Sequence, residues 1–381
     1  MRLSVLLILL SLPSLWQPSA AAAGTLEAYV QRPDPAFRWT LRLEQRSLLA
    51  RHFQFHLVSQ QWLDDTLVDR PLWTHDVRMS LPRLCSLDRE RQHTAILLVS
   101  GGKNPREPAA APAPLPPEAA LIARAFCRPV IEIRQVPNQP LYFSGDGQRR
   151  REDGLLAYSL DRYLRHERGD WPAHAAMVKA VVRAMDAMQA FSRERRDIPD
   201  IEGFVLIGTS KRGWTSWLTA AVDSRVRAIV PVSIDMLNLA EQFPHHFAAY
   251  GDYAPALRDY REFDIGCRAD SARGKELLSV IDPYHYRERL DLPKLLINSA
   301  GDEFFLSDSS QHYFHALPGR KNRLRYTVNS DHRQQGINRL DLLLQARNWV
   351  DDVLAGRRTP ALDWQRDAQG QLVIRSNMPP R

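Results

Sequence analysis

Ser210 is the residue whose neighbours most clearly indicate chemistry. It follows the apolar run FVLIGT at 204–209, and a helical pattern begins directly after it. A serine hydroxyl becomes a strong nucleophile when a sharp turn from a strand into a helix presents it to a base, beside free backbone N–H groups. The run therefore predicts a nucleophile elbow and a serine hydrolase that cleaves an ester or amide through an acyl-enzyme.

A serine mechanism also needs a histidine and a carboxylate. The histidine takes the serine proton and delivers it to the leaving group, while the carboxylate orients the imidazole and stabilises its charge. Asp302 follows a strand pattern at 294–298, and His332 follows a strand pattern at 324–328. The chain order serine, acid, histidine is typical of α/β-hydrolases, and so is the position of each residue directly after a core strand. We predict a triad of Ser210, Asp302 and His332.

Each member of this triad also has an ordinary structural interpretation. Gly-x-Ser after a strand is often a plain turn, Gly-Asp often caps the next helix, and a single loop histidine is usually a surface residue. Glu303 is an alternative acid, and Asp331 is a weaker one. The three residue types in the right order, on successive core strands, favour catalysis over these interpretations.

The tetrahedral intermediate of acyl transfer needs N–H donors for its oxyanion. The amide of Lys211 follows the nucleophile at the start of a helix, which makes it the first predicted donor. Gly101 and Gly102 follow another apolar run, and Gly102 is the second predicted donor because no side chain obstructs its amide. A simple tight turn explains the two glycines equally well.

The elbow departs from the usual Gly-x-Ser-x-Gly motif. Arg212 stands where the second glycine is expected, and Gly213 follows it. Two roles fit Arg212, since a guanidinium binds an anionic substrate group or pairs with a nearby carboxylate. Trp214 and Trp217 lie on the following helix, where Trp214 fits a pocket wall and Trp217 fits the core.

The elements that position these residues alternate between strands and helices. Residues 38–82 favour an antiparallel start of a sheet, whereas the apolar run at 94–100 is typical of a parallel strand buried on both faces. The alternation predicts an α/β-hydrolase fold with a mostly parallel central sheet and helices on both faces. Further strands are predicted at 130–136, 204–209, 226–232, 294–298 and 324–328, and helices at 118–126, 153–165, 173–195, 211–222, 309–317 and 340–354.

Residues 233–290 interrupt this alternation with mixed helical and aromatic sequence, which indicates a lid-like insertion. The predicted organisation is a signal peptide at 1–23, a hydrolase domain at 24–360 that contains the insertion, and a short C-terminal tail at 361–381. The signal peptide is inferred from a basic start, a leucine-rich middle and small residues at its end, with an uncleaved anchor as the alternative. We expect an exported protein, periplasmic or secreted, with no stable membrane insertion after cleavage.

Composition indicates a globular protein rather than a disordered or nucleic-acid-binding chain. The 381 residues are 44% hydrophobic and 25% charged, which allows a large core. The net charge is +7, but basic residues are interspersed with acidic ones and form no continuous stripe. The expected partner is a small-molecule or peptide substrate, and no nucleic acid.

The spacing of cysteine and histidine residues gives no metal motif. Cys85, Cys127 and Cys267 are far apart, so one disulfide and one free thiol are expected in an oxidising compartment, with the pairing left open. His312 and His315 lie one helical turn apart without the supporting carboxylates of a zinc-enzyme motif. We expect neither a metal nor another cofactor.

Several blocks of the sequence resemble the PhoPQ-activated pathogenicity-related protein family. The resemblance implies an exported α/β-hydrolase, supports the triad predicted above, and suggests an association with bacterial virulence and resistance to antimicrobial peptides. One block contains Asn138, which joins Arg212 and Trp214 as a candidate substrate-binding residue. The resemblance runs from about Val30 to Ala355, and its blocks lie at 137–141, 152–153, 208–223, 234–238 and 301–306.

Two differences limit what this resemblance implies. Members of the family often continue into a β-rich tail, whereas only two short apolar segments follow residue 360, so we expect that tail to be truncated or absent. The elbow also resembles that of glucuronoyl esterases, but an arginine directly follows their serine where this chain has Lys211, so their substrate is not transferred. The alternative to an active hydrolase is a catalytically silent binding protein of the cell envelope with the same fold.

Overall fold

The computed structural model describes residues 25–83, 85, 90–105, 117–166, 169–319, 321–357 and 362–378. The predicted signal peptide at 1–23 lies outside the described residues. Among the helices that are described, none is both long and apolar enough to cross a membrane.

A large mixed sheet forms the centre of the protein. Nine strands follow one another across it in the order β1-β2-β3-β5-β4-β8-β9-β10-β11. Neighbours from β1 to β5 pair antiparallel and neighbours from β5 to β11 pair in parallel, so the antiparallel start and the parallel core predicted from the sequence are confirmed. The strands of the described residues are β1 (Arg38–Arg46), β2 (Ala50–Gln61), β3 (Leu72–Pro82), β4 (Thr94–Val99), β5 (Val130–Ile133), β6 (Leu141–Tyr142), β7 (Arg149–Arg150), β8 (Gly203–Thr209), β9 (Val226–Val232), β10 (Leu295–Ser299), β11 (Arg323–Thr327), β12 (Leu362–Arg366) and β13 (Leu372–Ser376).

Helices separate most of the core strands. Residues 309–317, predicted as one helix, instead form two 3-10 turns, Ser309–His312 and Phe314–Ala316. Tyr313 between them has a φ of −147°, outside the helical range, and its buried hydroxyl donates to Asp235. The helices of the described residues are α1 (Leu26–Gln31), α2 (Pro117–Phe126), α3 (Glu152–His166), α4 (Ala173–Glu194), α5 (Lys211–Val222), α6 (Leu239–Tyr250), α7 (Arg258–Arg261), α8 (Ala272–Ile281) and α9 (Arg339–Leu354).

The core strands hold helices on both faces because their apolar side chains alternate between two clusters. In β8, Phe204 and Leu206 belong to a larger cluster with residues of α4 and α5, whereas Val205 belongs to a smaller cluster with residues of α2 and α9. Burial of each such side chain contributes about 1.5–3 kcal/mol. The near-continuous apolar runs therefore reflect strands that are covered on both sides.

The segments outside this core are helical or short. The chain between β9 and β10 forms α6, α7 and α8, within the stretch 233–290 that is predicted as an insertion. Strands β12 and β13 pair as an antiparallel hairpin whose residues are mostly exposed. The boundaries of the predicted domains stay predictions.

The structure pairs two of the three cysteines. Cys85 and Cys127 form a disulfide, and Cys267 is an exposed free thiol. This is the pairing that the sequence left open. The bond connects the segment after β3 to the end of α2.

The parallel strands bring the candidate residues to one edge of the sheet. Strands β4, β8, β10 and β11 run in the same direction, so their carboxyl ends lie together. Gly102, Ser210, Asp302 and His332 each follow one of these strands. In open α/β sheets, ligands bind at this edge.

Candidate active site

Ser210 occupies a strained turn between β8 and α5. Its φ of 58° and ψ of −130° belong to a region that costs a residue with a side chain about 1–3 kcal/mol. Its amide donates to the carbonyl of Val232 at 2.8 Å, and its carbonyl accepts from the amide of Trp214 at 3.0 Å. These two backbone bonds hold the backbone in the shape of a nucleophile elbow.

Two glycines allow this turn to form. A Cβ atom on Gly208 would lie 2.4 Å from the carbonyl oxygen of Arg212, and one on Gly213 would lie 2.7 Å from the side chain of Ile234. Side-chain carbons do not approach other atoms so closely without displacement, so both positions favour glycine. The close approach after the serine falls on Gly213, which explains why the usual glycine position tolerates Arg212.

Ser210, His332 and Asp302 form a continuous chain of hydrogen bonds. The Oγ atom of Ser210 lies 2.9 Å from Nε2 of His332, and Nδ1 of His332 lies 3.0 and 2.9 Å from the two carboxylate oxygens of Asp302. Ser210 is half-buried, while the His332 and Asp302 side chains are 10% and 3% exposed. In this geometry the imidazole can accept the serine proton while the carboxylate orients it.

Backbone amides hold the carboxylate of Asp302 in place. Its Oδ1 atom accepts from the amide of Phe304 at 2.9 Å and from the amide of Phe305 at 3.3 Å. The ring of Phe304 packs 4.2 Å from the imidazole of His332 and shields it from water. Charges that form in such a dry site interact more strongly than charges in water. The sequence shows the two phenylalanines, but not that they pack here.

The two alternative acids have other partners. The carboxylate of Glu303 accepts from the backbone amide of His332 at 3.0 Å, which anchors the loop rather than the imidazole. Asp331 accepts from the amides of Arg333 and Gln335 at 3.0 and 2.8 Å. Asp302 is thus the carboxylate that contacts the imidazole.

Gln334 ties the His332 loop to neighbouring strand ends, and sequence reasoning missed it. Its side-chain oxygen accepts from Thr327 at 2.7 Å, and its nitrogen donates to Ser233 at 2.9 Å and to Ser299 at 2.6 Å. These residues end β11, follow β9 and end β10. One buried amide therefore fixes the loop against three strands, and no motif in the sequence marks such a role.

Lys211 begins α5, and its amide is among the first N–H groups of the helix, which have no intrahelical acceptor. This amide is free to serve as the predicted oxyanion donor. The Lys211 side chain turns to two carboxylates, with Nζ 3.1 Å from Glu152 and 3.1 Å from Asp153. The other predicted donor, Gly102, has a φ of 152°, and its carbonyl accepts from Gln139 at 3.1 Å.

Arg212 is bound by the protein itself. Its guanidinium donates to the carbonyl of Val136 at 2.6 Å and to both oxygens of Glu152 at 2.7 and 2.9 Å. Burial alone would raise the pKa of Glu152, but the bonds and charges of Arg212 and Lys211 outweigh it and lower this pKa to about 2. Of the two roles considered for Arg212, the structure shows the pairing with a carboxylate.

Asn138 and Trp214 have different environments. The amide of Asn138 is buried, donates to the carbonyl of Thr74 in β3 at 2.7 Å and accepts from Asn104 in the loop after β4 at 3.0 Å, so it connects a strand and a loop instead of facing a ligand. Trp214 forms part of a cavity wall, with its indole N–H directed at the carbonyl of Ile281 at 2.5 Å. Trp217 is fully buried, as expected of a core residue.

Asp235 is a buried carboxylate at the same edge that sequence reasoning also missed. It accepts from the hydroxyls of Tyr313 and Tyr326. Burial raises its pKa to about 6, against the opposing effect of the two hydrogen bonds. Its position just after β9 was the available signal, but only the fold shows which side chains surround it.

A cavity opens beside Ser210 and Lys211, under helices α6 and α8. Its described lining includes Ser210 but neither His332 nor Gly102. Across the part of the chain that is described, no cluster of three histidine, cysteine, aspartate or glutamate residues is suited to hold a metal ion. Most of the wall is apolar, with Leu160, Ile234, Met236, Phe243, Leu277 and Phe304 among its residues.

Comparisons with known proteins agree with this architecture. The family model for PhoPQ-activated pathogenicity-related protein matches residues 26–380. Autocrine proliferation repressor protein A of Dictyostelium discoideum is 32% identical over 364 residues, which cover 95% of this chain and 71% of that protein.

Solved structures with a similar fold include two acetyl xylan esterases. Acetyl xylan esterase 1 from Thermoanaerobacterium sp. JW/SL YS485 has a TM-score of 0.54 at 13% identity, over 85% of this chain and 93% of that one. The enzyme from Paenibacillus sp. R4 has a TM-score of 0.56 at 14% identity, over 86% and 92%. At these identities the likeness concerns the fold, and the predicted fold class is confirmed.

Proposed function

This chain belongs to the PhoPQ-activated pathogenicity-related protein family and has the α/β-hydrolase fold, and from this premise we propose that it is a serine hydrolase. In this proposal Ser210 attacks the carbonyl carbon of an ester or amide, His332 is the general base and Asp302 orients it. The observation that carries the proposal is the contact of 2.9 Å between Ser210 Oγ and His332 Nε2 in a site open to a cavity.

The geometry supports a two-step reaction. As Ser210 attacks, its proton passes to Nε2 of His332, and the imidazolium is stabilised by Asp302. The oxyanion is stabilised by the amide of Lys211 and the positive end of the α5 dipole. His332 then donates the proton to the leaving group, and water deprotonated by the same imidazole releases the acyl group from Ser210.

The alternative, a silent binding protein, would be favoured by a buried or misaligned serine. Ser210 is instead half-buried, aligned with His332 and at the edge of a cavity. We also propose that the protein is exported, with a small molecule or a peptide as its partner and with a role linked to pathogenicity, as in the family's description. The Cys85–Cys127 disulfide supports export because disulfides persist in oxidising compartments.

Labelling with a fluorophosphonate tests the assignment of the nucleophile. We expect the wild-type protein to gain one phosphonyl group on Ser210, located by peptide mass spectrometry, and the Ser210→Ala variant to gain none. The Ser279→Ala variant removes an exposed serine on α8 and serves as the matched control, with labelling as in the wild type. Absence of labelling in the folded wild type contradicts the proposal and favours the binding protein. Labelling that persists in Ser210→Ala contradicts the assignment of Ser210 as the nucleophile.

A further inference from the structure

We propose that the cavity beside Ser210 binds the acyl group of the substrate, and that this group is an uncharged hydrocarbon chain longer than acetyl. This inference deepens the proposed function and depends on it. The volume of the cavity itself is about 100 Å³. That is several times the roughly 10–15 Å³ that one water molecule requires, so the cavity has room for more than an acetyl group.

The position of His332 indicates which side of the scissile bond the cavity holds. The imidazole must lie beside the leaving group, because it donates a proton to that group. The cavity is lined by Ser210 and Lys211, which supply the nucleophile and the first oxyanion donor, whereas His332 is not part of its lining and is covered by the ring of Phe304. The leaving group therefore lies outside the cavity, and the acyl chain extends into it.

The charges near the nucleophile cancel within the protein. Lys211 pairs with Glu152 and Asp153, and Arg212 pairs with Glu152, so two cations face two anions. The hydroxyl of Tyr260 donates to Asp153 at 3.1 Å and completes the cluster. A carboxylate or ammonium on the acyl chain would lose its hydration without gaining an unmatched partner here, which is unfavourable in an apolar site.

Other polar side chains that line the cavity also have hydrogen-bond partners within the protein. Gln242 donates to the carbonyls of Leu237 and Ser309 at 3.1 and 3.0 Å. His246 accepts from the amide of Ala254 at 2.9 Å, and the hydroxyl of Tyr253 accepts from the amide of Gly266 at 2.7 Å. With these groups bound to the backbone, the rest of the wall offers mainly hydrocarbon contacts, which favours an alkyl chain.

A series of p-nitrophenyl esters tests the inference on the wild-type protein. Each methylene buried by the cavity is worth about 0.8 kcal/mol, or about fourfold in kcat/KM. We expect kcat/KM to rise at least about tenfold from acetate to hexanoate. The matched charged substrate is the p-nitrophenyl monoester of glutaric acid, which we expect to be at least about tenfold poorer than the pentanoate. In alkyl acetates, lengthening the alcohol from ethyl to hexyl should give a much smaller gain.

A substitution that narrows the cavity provides a second test. Ala269 lines the cavity, and Ala272 is exposed in the first turn of α8, so Ala269→Phe and Ala272→Phe add the same group inside and outside it. We expect Ala269→Phe to lower the ratio of octanoate to acetate kcat/KM at least about tenfold, and Ala272→Phe to leave this ratio unchanged. If Ala269→Phe does not fold, the wild-type ester series still decides the question.

The outcomes separate this inference from the proposed function. Fluorophosphonate labelling of Ser210 together with a preference for acetate, for the glutarate monoester or for longer alcohols overturns the acyl-chain inference and leaves the serine hydrolase intact. Absence of both labelling and ester hydrolysis overturns both. Labelling with a rising acyl series, reduced selectively by Ala269→Phe, supports both.

Discussion

The substitution Asp302→Asn tests the triad more sharply than removal of the side chain, because the structure dictates how the new amide must turn. Oδ1 of Asp302 already accepts from the amides of Phe304 and Phe305. Only the oxygen of an asparagine can occupy that position, since its NH₂ group would face two N–H donors. The NH₂ group must therefore take the place of Oδ2, which lies 2.9 Å from Nδ1 of His332.

This orientation reverses the hydrogen bond that sets the imidazole tautomer. Nδ1 of His332 then lies 2.9 Å from the NH₂ group and 3.0 Å from the amide oxygen, which already accepts two backbone N–H groups. We expect the NH₂ group to pair with an unprotonated Nδ1, so that the ring proton moves to Nε2. Nε2 then carries a proton where it must receive one from Ser210, at 2.9 Å. The same change in a serine protease triad lowers kcat about 10⁴-fold, which corresponds to about 5.4 kcal/mol in activation free energy. We expect a loss of that order here, with little change in thermal stability because the two side chains have the same shape.

The assay is kcat/KM for p-nitrophenyl hexanoate at pH 8, together with the rate of fluorophosphonate labelling. Glu303→Gln is the matched control, because it makes the same chemical change one residue away. The carboxylate of Glu303 accepts only a backbone N–H from His332 among its described contacts, and a glutamine oxygen can keep that bond. We expect Glu303→Gln to retain activity within about threefold, which is less than about 0.7 kcal/mol.

Two results would refute this reasoning. If Asp302→Asn keeps more than about a tenth of the wild-type activity, the tautomer argument fails, because a wrong tautomer costs far more. If Glu303→Gln loses activity while Asp302→Asn does not, Glu303 is the functional acid. Thermal unfolding of both variants must match the wild type, so that a loss of activity is not a loss of fold.

Two further outcomes follow from backbone crowding and from a buried histidine. Gly208→Ala should destabilise the protein by about 1–3 kcal/mol in urea unfolding, because the new Cβ would lie 2.4 Å from the Arg212 carbonyl oxygen. Gly154→Ala is the control and should not destabilise the protein, because its nearest contact would be at 3.6 Å. Equal stability of the two variants would contradict the crowding argument. Burial, and then the charge of Lys211, lower the pKa of His174 to about 3, so from pH 6.5 downwards the unfolded chain binds a proton that the folded protein does not. Between pH 7.5 and pH 5, the free energy of unfolding of the wild type should therefore fall by about 2 kcal/mol more than that of His174→Phe. Urea unfolding at each pH measures this difference. If the two free energies fall equally with pH, His174 is not the source of the pH dependence.

The features that could be predicted from the sequence are those that depend on local patterns of apolar and polar residues. The strand bounds at β4, β8 and β9 follow from apolar runs, and α5 begins at Lys211 as its pattern indicates. The placement of Ser210, Asp302 and His332 at one sheet edge then follows from the parallel order of the strands. Chain order and strand ends were sufficient to propose these residues, because in a parallel sheet the carboxyl ends meet without any further information.

The features that the sequence could not predict depend on side chains that meet across long stretches of chain. Arg212 reaches Glu152 across 60 residues, and Gln334 reaches Ser233 across 101. The local sequence does not distinguish an arginine that binds a substrate from one that pairs with a carboxylate of the protein, since both roles use the same guanidinium. Asn138 shows the same problem, because its amide would suit a ligand as well as it suits the carbonyl of Thr74. Polar residues near an elbow are therefore poor guides to specificity until their partners are known, whereas the apolar cavity wall, which has no such competing partners, is the better guide to the substrate.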